Sequence, residues 1–287
     1  MSVRRAVAAA LLLAAAVSPG RIQPAAATVT PAVHVTAAQA ARPRFRAEVV
    51  LANVNQFMAA SKIRADVAKI FALMPDVIVF NEAKPSGHAE MRAQAKKRGY
   101  LLRVPKGPLH EVTIAWKISR WQGIGGGATT FTKGMAKVTP ARGLVRQVLQ
   151  RAGSPNVVVF GTHFPARAWT HPKPSVRSFL RTQWDRLRDA LVSRVKARAA
   201  RVAAPIVIWA GDVNRPDSRW PNRRPFPALR NVKGYATAVL PHPGPTLGKA
   251  RFDMVGVLSK NTRVTVKSAR TVRLHSDHRA VLLDLAW

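Results

Sequence analysis

Four short apolar runs in this sequence each stop abruptly on polar residues, and that pattern leaves few folds open. "VVLANVN" (49–55), "PDVIVFNEA" (75–83), "VVVFGTHF" (157–164) and "APIVIWAGDVN" (204–214) are apolar, largely β-branched stretches that end in Asn, Glu, His or Asp. Continuous apolar runs of this length predict strands buried on both faces. Side chains at the ends of such strands converge when sheets stack, so the polar endings predict one shared cleft.

The rest of the chain supplies partners for these strands. Apolar positions in 61–73 and 88–98 predict helices, and the longest helix is expected from Pro174 or Ser175. There Val176, Leu180, Trp184, Leu187, Leu191 and Val195 recur at steps of four and three, while Arg181, Arg186, Arg188, Arg194 and Lys196 fall off that stripe. "HEVTIAWKI" alternates as a strand does, and "LVRQVLQR" before "VVVFGTHF" predicts a hairpin. "RFDMVGVL", "TRVTVK" and "RAVLLDLAW" add C-terminal strands. The "GIGGG" run at Gly123–Gly127 lacks the Lys-Ser/Thr of a phosphate-binding P-loop and is expected to be a flexible connection. Strands with few helices across 46–287 predict one α/β domain with a two-sheet core.

The N-terminus has a different texture. Arg4 and Arg5 precede an apolar run, Ala6–Val17, and small residues follow at Ala25–Ala27. That run is short of the roughly 20 residues a membrane span requires. Residues 1–27 are expected to be a signal peptide and 28–45 a flexible leader, making the protein secreted, without a membrane span, and monomeric. The chain has no cysteine, so its core cannot be stapled by disulfides. Its 47 Lys and Arg face 13 Asp and Glu, a formal charge of +34. Such self-repulsion fits a polyanionic partner, nucleic acid above all, although an Arg/Ala-rich composition bias would also produce it.

Against that excess of cations, the placement of the few acids is informative. Glu82, Glu111, Asp212, Asp253 and Asp277 lie at strand ends or edges, and His163 and His278 join them. Together "VVLANVNQ", "PDVIVFNEA", "VVVFGTHF", "VIWAGDVNRP", "RFDMVGV" and "SDHRAVLLDL" resemble, in this order, the endonuclease/exonuclease/phosphatase superfamily with its deoxyribonuclease-I-like fold. The resemblance covers about 46–287, and the "GDVN" and "SDH" motifs are its most specific parts. It implies a four-layer α/β sandwich of two packed, mostly antiparallel sheets flanked by helices. It also implies a phosphodiesterase that uses Mg2+, with Mn2+ and Ca2+ as alternatives; with the basic charge and the signal peptide, the expectation is a secreted nuclease acting on DNA or RNA.

The resemblance further implies roles for residues. Glu82, Asp277 and the amide oxygen of Asn53 would hold the metal, with Asn55 a second candidate in "NVN". Asp212 would orient or deprotonate the attacking water and Asn214 would steady the phosphate. His278 paired with Asp253, and His163 paired with Glu111, would form the acid/base groups, with His163 assigned to the leaving oxygen; which histidine is acid and which base is open. The loop after "GDVN" interleaves Arg215, Arg219, Arg223 and Arg224 with Trp220, a pattern suited to phosphates and stacked bases. Two other readings compete: a sphingomyelinase-like or other phosphoester hydrolase, favoured by exposed Trp169 and Trp220, and a catalytically inactive basic module that binds nucleic acid.

Overall fold

The computed structural model describes residues 44–287 except 84, 202, 204, 217, 218 and 221–224. The expected signal peptide and nearly all of the leader lie outside the described residues. Phe45, the last leader residue, exchanges backbone hydrogen bonds with Trp287 and stacks on its ring.

In chain order the elements are β1 (Arg46–Asn53), α1 (Ala60–Ala72), β2 (Val77–Asn81), α2 (Pro85–Arg98), β3 (Tyr100–Arg103), β4 (Thr113–Lys117), β5 (Gln122–Thr130), β6 (Gly143–Gln150) and β7 (Val157–His163). They continue with α3 (Pro174–Ala199), β8 (Ile206–Asp212), β9 (Thr237–Val239), β10 (Asp253–Ser259), β11 (Thr265–Arg273) and β12 (Arg279–Ala286). One six-stranded sheet runs β11-β12-β1-β2-β4-β3 and the other β5-β6-β7-β8-β10-β9.

Strand alternation sorts the apolar residues into three layers of packing. Val49, Leu51 and Val79 of the first sheet meet Val159, Ile208 and Val257 of the second between the sheets. On the first sheet's outer face, Val50, Ile78 and Phe80 pack on Ile63, Val67 and Phe71 of α1. Phe160, Val207 and Trp209 face outward from the second sheet onto Leu180, Trp184, Leu187 and Leu191 of α3. The result is helix, sheet, sheet, helix, the four-layer α/β sandwich. The sheets press closely near one end: a Cβ added to Gly161 would lie 2.8 Å from Val112 Cγ1 and 3.0 Å from Val79 Cγ1.

Each sheet is mostly antiparallel but contains one parallel pair, β1–β2 and β7–β8. A parallel pair needs a crossover, which α1 and α3 provide. Register then fixes which residues end together: Asn53 pairs with Asn81, and His163 with Asp212. β10 runs antiparallel to β8 and starts at that same end, with Asp253 opposite Asp212.

One expectation is corrected. The Gly123–Gly127 run is not a flexible connection but part of edge strand β5, paired antiparallel with β6 across a register shift between Gly123 and Gly125. Its glycines admit neighbours that would otherwise collide, since a Cβ on Gly123 would sit 2.7 Å from Trp116 Cζ2. Among the described residues no helix is long and apolar enough to cross a membrane.

Candidate active site

The cleft lies where strand ends of both sheets meet, and buried amides tie the sheets together beneath it. Asn81 Nδ2 donates to the Thr162 carbonyl at 2.9 Å, and its Oδ1 accepts the Asp212 N–H at 3.2 Å. Asn53 Nδ2 donates to Glu82 Oε1 at 3.0 Å and to Asp212 Oδ2 at 3.1 Å. Asn53 Oδ1 in turn accepts the Asn55 N–H at 3.0 Å. Thus Asn53 turns its nitrogen, not its oxygen, toward the two carboxylates.

Three of the polar residues here hold left-handed backbone: Asn55 (φ 36°), Glu82 (φ 59°) and Asn214 (φ 49°). Asn tolerates this region, whereas Glu does so at a cost, and such strain concentrates at functional sites. At Glu82 it turns the side chain out of the strand's alternation, toward Asn53 and the Gln56 N–H. Asn214 closes a turn by donating its N–H to Asp212 Oδ1 at 2.7 Å.

The two histidines differ in charge. His278 Nδ1 lies 2.6 Å from Asp253 Oδ2, with Nε2 3.9 Å from Asp212 Oδ2. Burial opposes the imidazolium, but the Asp253 charge and hydrogen bond, with Asp212 and Asp277, raise its pKa to about 10. His163 is enclosed differently. Burial, then the charge of Arg142, lowers its pKa to about 4 despite Asp212 and Glu82. Arg142 Nη1 stands 2.9 Å from its Nδ1, where Glu111 Oε1 also lies at 3.2 Å, and Asn214 Nδ2 stands 3.0 Å from its Nε2. Near neutrality His278 is therefore cationic and His163 neutral. The Asp212 carboxyl is pushed up, first by burial and then by Asp253, while His278 and His163 counter this.

The donor set suits a hard divalent cation. Glu82, His163 and Asp212 each offer a ligand atom within 4.8 Å of the others, as do Asp212, Asp253 and His278. Asp253 Oδ1 is buried without a hydrogen-bond partner. Glu82 and Asp212 keep carboxylate lone pairs beyond the hydrogen bonds they accept, which leaves oxygen donors for a divalent cation. The cationic His278 is not a ligand in this state.

No protein-family model matches the chain, and no curated protein matches it in sequence. Solved structures do match in shape. A humanized D. rerio TDP2 superposes with a TM-score of 0.63 at 18% identity, covering 84% of this chain and 98% of that one. The human Nocturnin catalytic domain with bound sulfate gives 0.61 at 14%, covering 84% and 94%. An endonuclease/exonuclease/phosphatase from Bacteroides vulgatus gives 0.61 at 12%, covering 84% and 99%. The fold is that of the endonuclease/exonuclease/phosphatase superfamily.

On this superfamily fold the residues singled out from sequence are placed as follows. Asn53, Glu82, Asp212, Asn214, Asp253, His163 and His278 meet in one cleft. Asp277 stands at the exposed rim, where its Oδ1 accepts Asn55 Nδ2 at 2.8 Å. Glu111 is buried, with Oε1 3.2 Å from His163 Nδ1. Arg219 is exposed and borders a recess of about 240 Å3 with Trp169, Asn214 and Phe252. Trp220, expected to stack on substrate, is instead 5% exposed and packs on Trp184 and Phe226. Arg215 turns inward with it, its guanidinium 4.5 Å from the Trp220 ring centre and 4.7 Å from that of Trp169. Both serve the loop's packing, because an aromatic with α3 beneath it gains more from burial than from solvent. Arg223 and Arg224 lie outside the described residues.

Sequence reasoning missed three residues that build or support this cleft. Arg142 forms an ion pair with Glu111 and abuts His163, and burial lowers its pKa to about 10 despite Glu82 and Asp212. Asn81 crosses between the sheets, although its place in "FNEA" beside Glu82 was a signal. Asp66 on α1 is buried and accepts the N–H groups of His275 and Ser276 at 2.8 and 2.9 Å, fixing the turn that carries Asp277 and His278. His275, which a solvated loop would leave unpartnered, also brings its Nδ1 to 2.8 Å from Asp66.

Proposed function

We propose that this protein is a divalent-metal-dependent phosphodiesterase whose substrate is nucleic acid. The observation that carries the reading is the cleft itself: Asn53, Glu82, His163, Asp212, Asn214, Asp253 and His278 assembled from two sheets. Glu82, with Asp212 or Asp277, would hold the metal, which when bound neutralises charge on the phosphoryl oxygens.

This chain's own residues divide the remaining work. Asp212, with its carboxyl pushed up, takes a proton from the attacking water. Asn214 donates to the Phe164 carbonyl and lies against His163, which leaves its amide oxygen to orient that water. His278 carries a proton near neutrality and delivers it to the leaving oxygen as the P–O bond breaks. His163, neutral in this setting, positions Asn214 rather than protonating the leaving group. A pair of sites pushed apart in this way is how one cleft supplies both acid and base.

Nucleic acid is favoured as substrate by the +34 charge. A neighbouring D. rerio TDP2 structure contains a single-strand DNA product, which accords with that choice. The phospholipid reading loses one of its two aromatics, because Trp220 is buried, while Trp169 stays half-buried at the recess beside Asn214. We also propose that the protein is secreted, on the basis of its N-terminal sequence. Incubating the mature protein with plasmid, RNA and sphingomyelin, with Mg2+ or with chelator, tests the substrate. Metal-dependent cleavage of plasmid or RNA that Asp212→Asn lowers by about 10²–10⁴ is expected. Cleavage of sphingomyelin alone, or full activity in chelator, would overturn the proposal.

A further inference from the structure

Outside the cleft, arginines converge where no acid answers them. A recess of about 160 Å3 lies between α3 and the outer face of β5 and β6, and Arg146, Arg194 and Arg198 line it with Phe131 and Phe160. The acids of α3 are engaged elsewhere, since Asp185 and Asp189 both pair with Arg188. Among the described residues no carboxylate forms an ion pair with any of the three. Arg194 instead lies over the Phe131 ring, 5.7 Å from its centre. Arg146 Nε is buried without a hydrogen-bond partner, a costly state for a group that can only donate. Burial, then repulsion from Arg146, Arg201 and Arg194, holds the Arg198 pKa below its usual value.

Three guanidinium groups around one recess, one with an idle buried N–H, form a fork-like donor array of the kind that binds oxyanions bidentately. We infer that this recess is a second phosphate-binding site, separate from the catalytic cleft, which takes a backbone phosphate of the nucleic-acid substrate. Its chemistry would suit free inorganic phosphate equally, and only the choice of the backbone as source rests on the function proposed above. The distance is appropriate for one strand to reach both places. Arg142 abuts His163, and Arg146 lies four residues further along the chain, roughly 13 Å at about 3.3 Å per strand residue. A nucleic-acid strand whose scissile phosphate sits in the cleft would pass along the outer side of β6 and be held there a few nucleotides away.

The test uses the double variant Arg146→Gln/Arg198→Gln, with Arg186→Gln on the exposed side of α3 as control. Inorganic phosphate is titrated into each full-length protein by calorimetry in chelator. Wild type and control should bind one more phosphate than the double variant. The double variant should also melt higher than wild type in phosphate-free buffer, because like charges have been removed. Identical isotherms for all three proteins would overturn the site. If the double variant melts early instead, Arg198→Gln alone, on the half-buried flank of α3, should weaken the same binding step; an unchanged isotherm would again overturn it.

Binding of a ten-nucleotide single strand distinguishes the sources. If the backbone is the ligand, the log–log salt slope of the double variant should be shallower by about 0.7 for each backbone phosphate it no longer holds, with dinucleotide hydrolysis unchanged. An unchanged slope together with abolished phosphate binding would assign the site to free phosphate and refute the backbone part. If the wild type cleaves neither DNA nor RNA, the proposed function fails, while the phosphate isotherm still decides the site.

Discussion

Replacing Asp253 by Asn should detach the charge state of His278 from the rest of the cleft. The variant keeps the shape of the side chain and an oxygen able to accept the Nδ1–H, but removes a full charge 2.6 Å from the ring. An opposite charge within about 4–6 Å shifts a pKa by about 1–3 units, each unit worth about 1.4 kcal/mol. Burial opposes the imidazolium in both proteins, and Asp212 and Asp277 remain, so the pKa should fall from about 10 without collapsing. A folded value above the ordinary 6.5 means the proton stabilises the fold fully below pH 6.5, and this contribution disappears as pH rises through about 10. The stability gap between wild type and Asp253→Asn should therefore be widest below that window and close toward its alkaline end. Imidazole NMR in chelator follows the titration directly, and urea melts across the same pH range follow the stability. With Mg2+ present, the alkaline limb of kcat should move down by about 1–3 pH units. If the His278 resonance and the alkaline limb of the variant coincide with those of wild type, Asp253 is not what holds the proton.

Other outcomes follow from the same geometry. Glu82→Gln should weaken Mn2+ binding, measured by electron paramagnetic resonance titration, while the circular dichroism spectrum is retained; an unchanged affinity would remove Glu82 from the metal. Trp220→Ala should cost about 3–5 kcal/mol in denaturant melts, as loss of a buried ring does, and leave the affinity for a single strand within about twofold at matched salt. Gly161→Val should destabilise by about 1–3 kcal/mol, because its side chain would push Val79 and Val112 apart where the sheets touch; a melt indistinguishable from wild type would show that they yield freely.

The strands that carry the cleft were legible because they are built of β-branched runs that end on chemistry. Their polar endings, from Asn53 to His278, could be read in order from the sequence alone. Strands with neither that signal nor clear alternation, such as β5 and β9, were not seen. β5 is rich in glycine, two of which make room for Trp116 and Arg103 of the other sheet, and β9 is three residues long. In the site, Asp66 and Arg142 were invisible for different reasons. Asp66 acts on residues 209 and 210 positions away, so no local pattern marks it. Arg142 is one of 47 basic residues, and only burial beside Glu111 distinguishes it. Trp220 shows the converse limit. An aromatic between arginines reads the same whether its ring meets a base or a helix, and α3 decided the matter.

The order in which the cleft's parts emerge during synthesis gives the bridging of the two sheets a further consequence. Asn53 and Glu82 belong to the earliest strands, Asp212 to the eighth, and His278 stands immediately before β12, which must insert between β11 and β1 to close the first sheet. A nascent chain thus holds its carboxylates for most of translation without the imidazolium that answers them, and β1 waits with an open edge for a partner encoded more than two hundred residues later. Pairings so distant form late. On the proposed function, hydrolytic competence is therefore coupled to synthesis of β12: a nascent chain that has not yet reached His278 lacks the acid that the reaction needs.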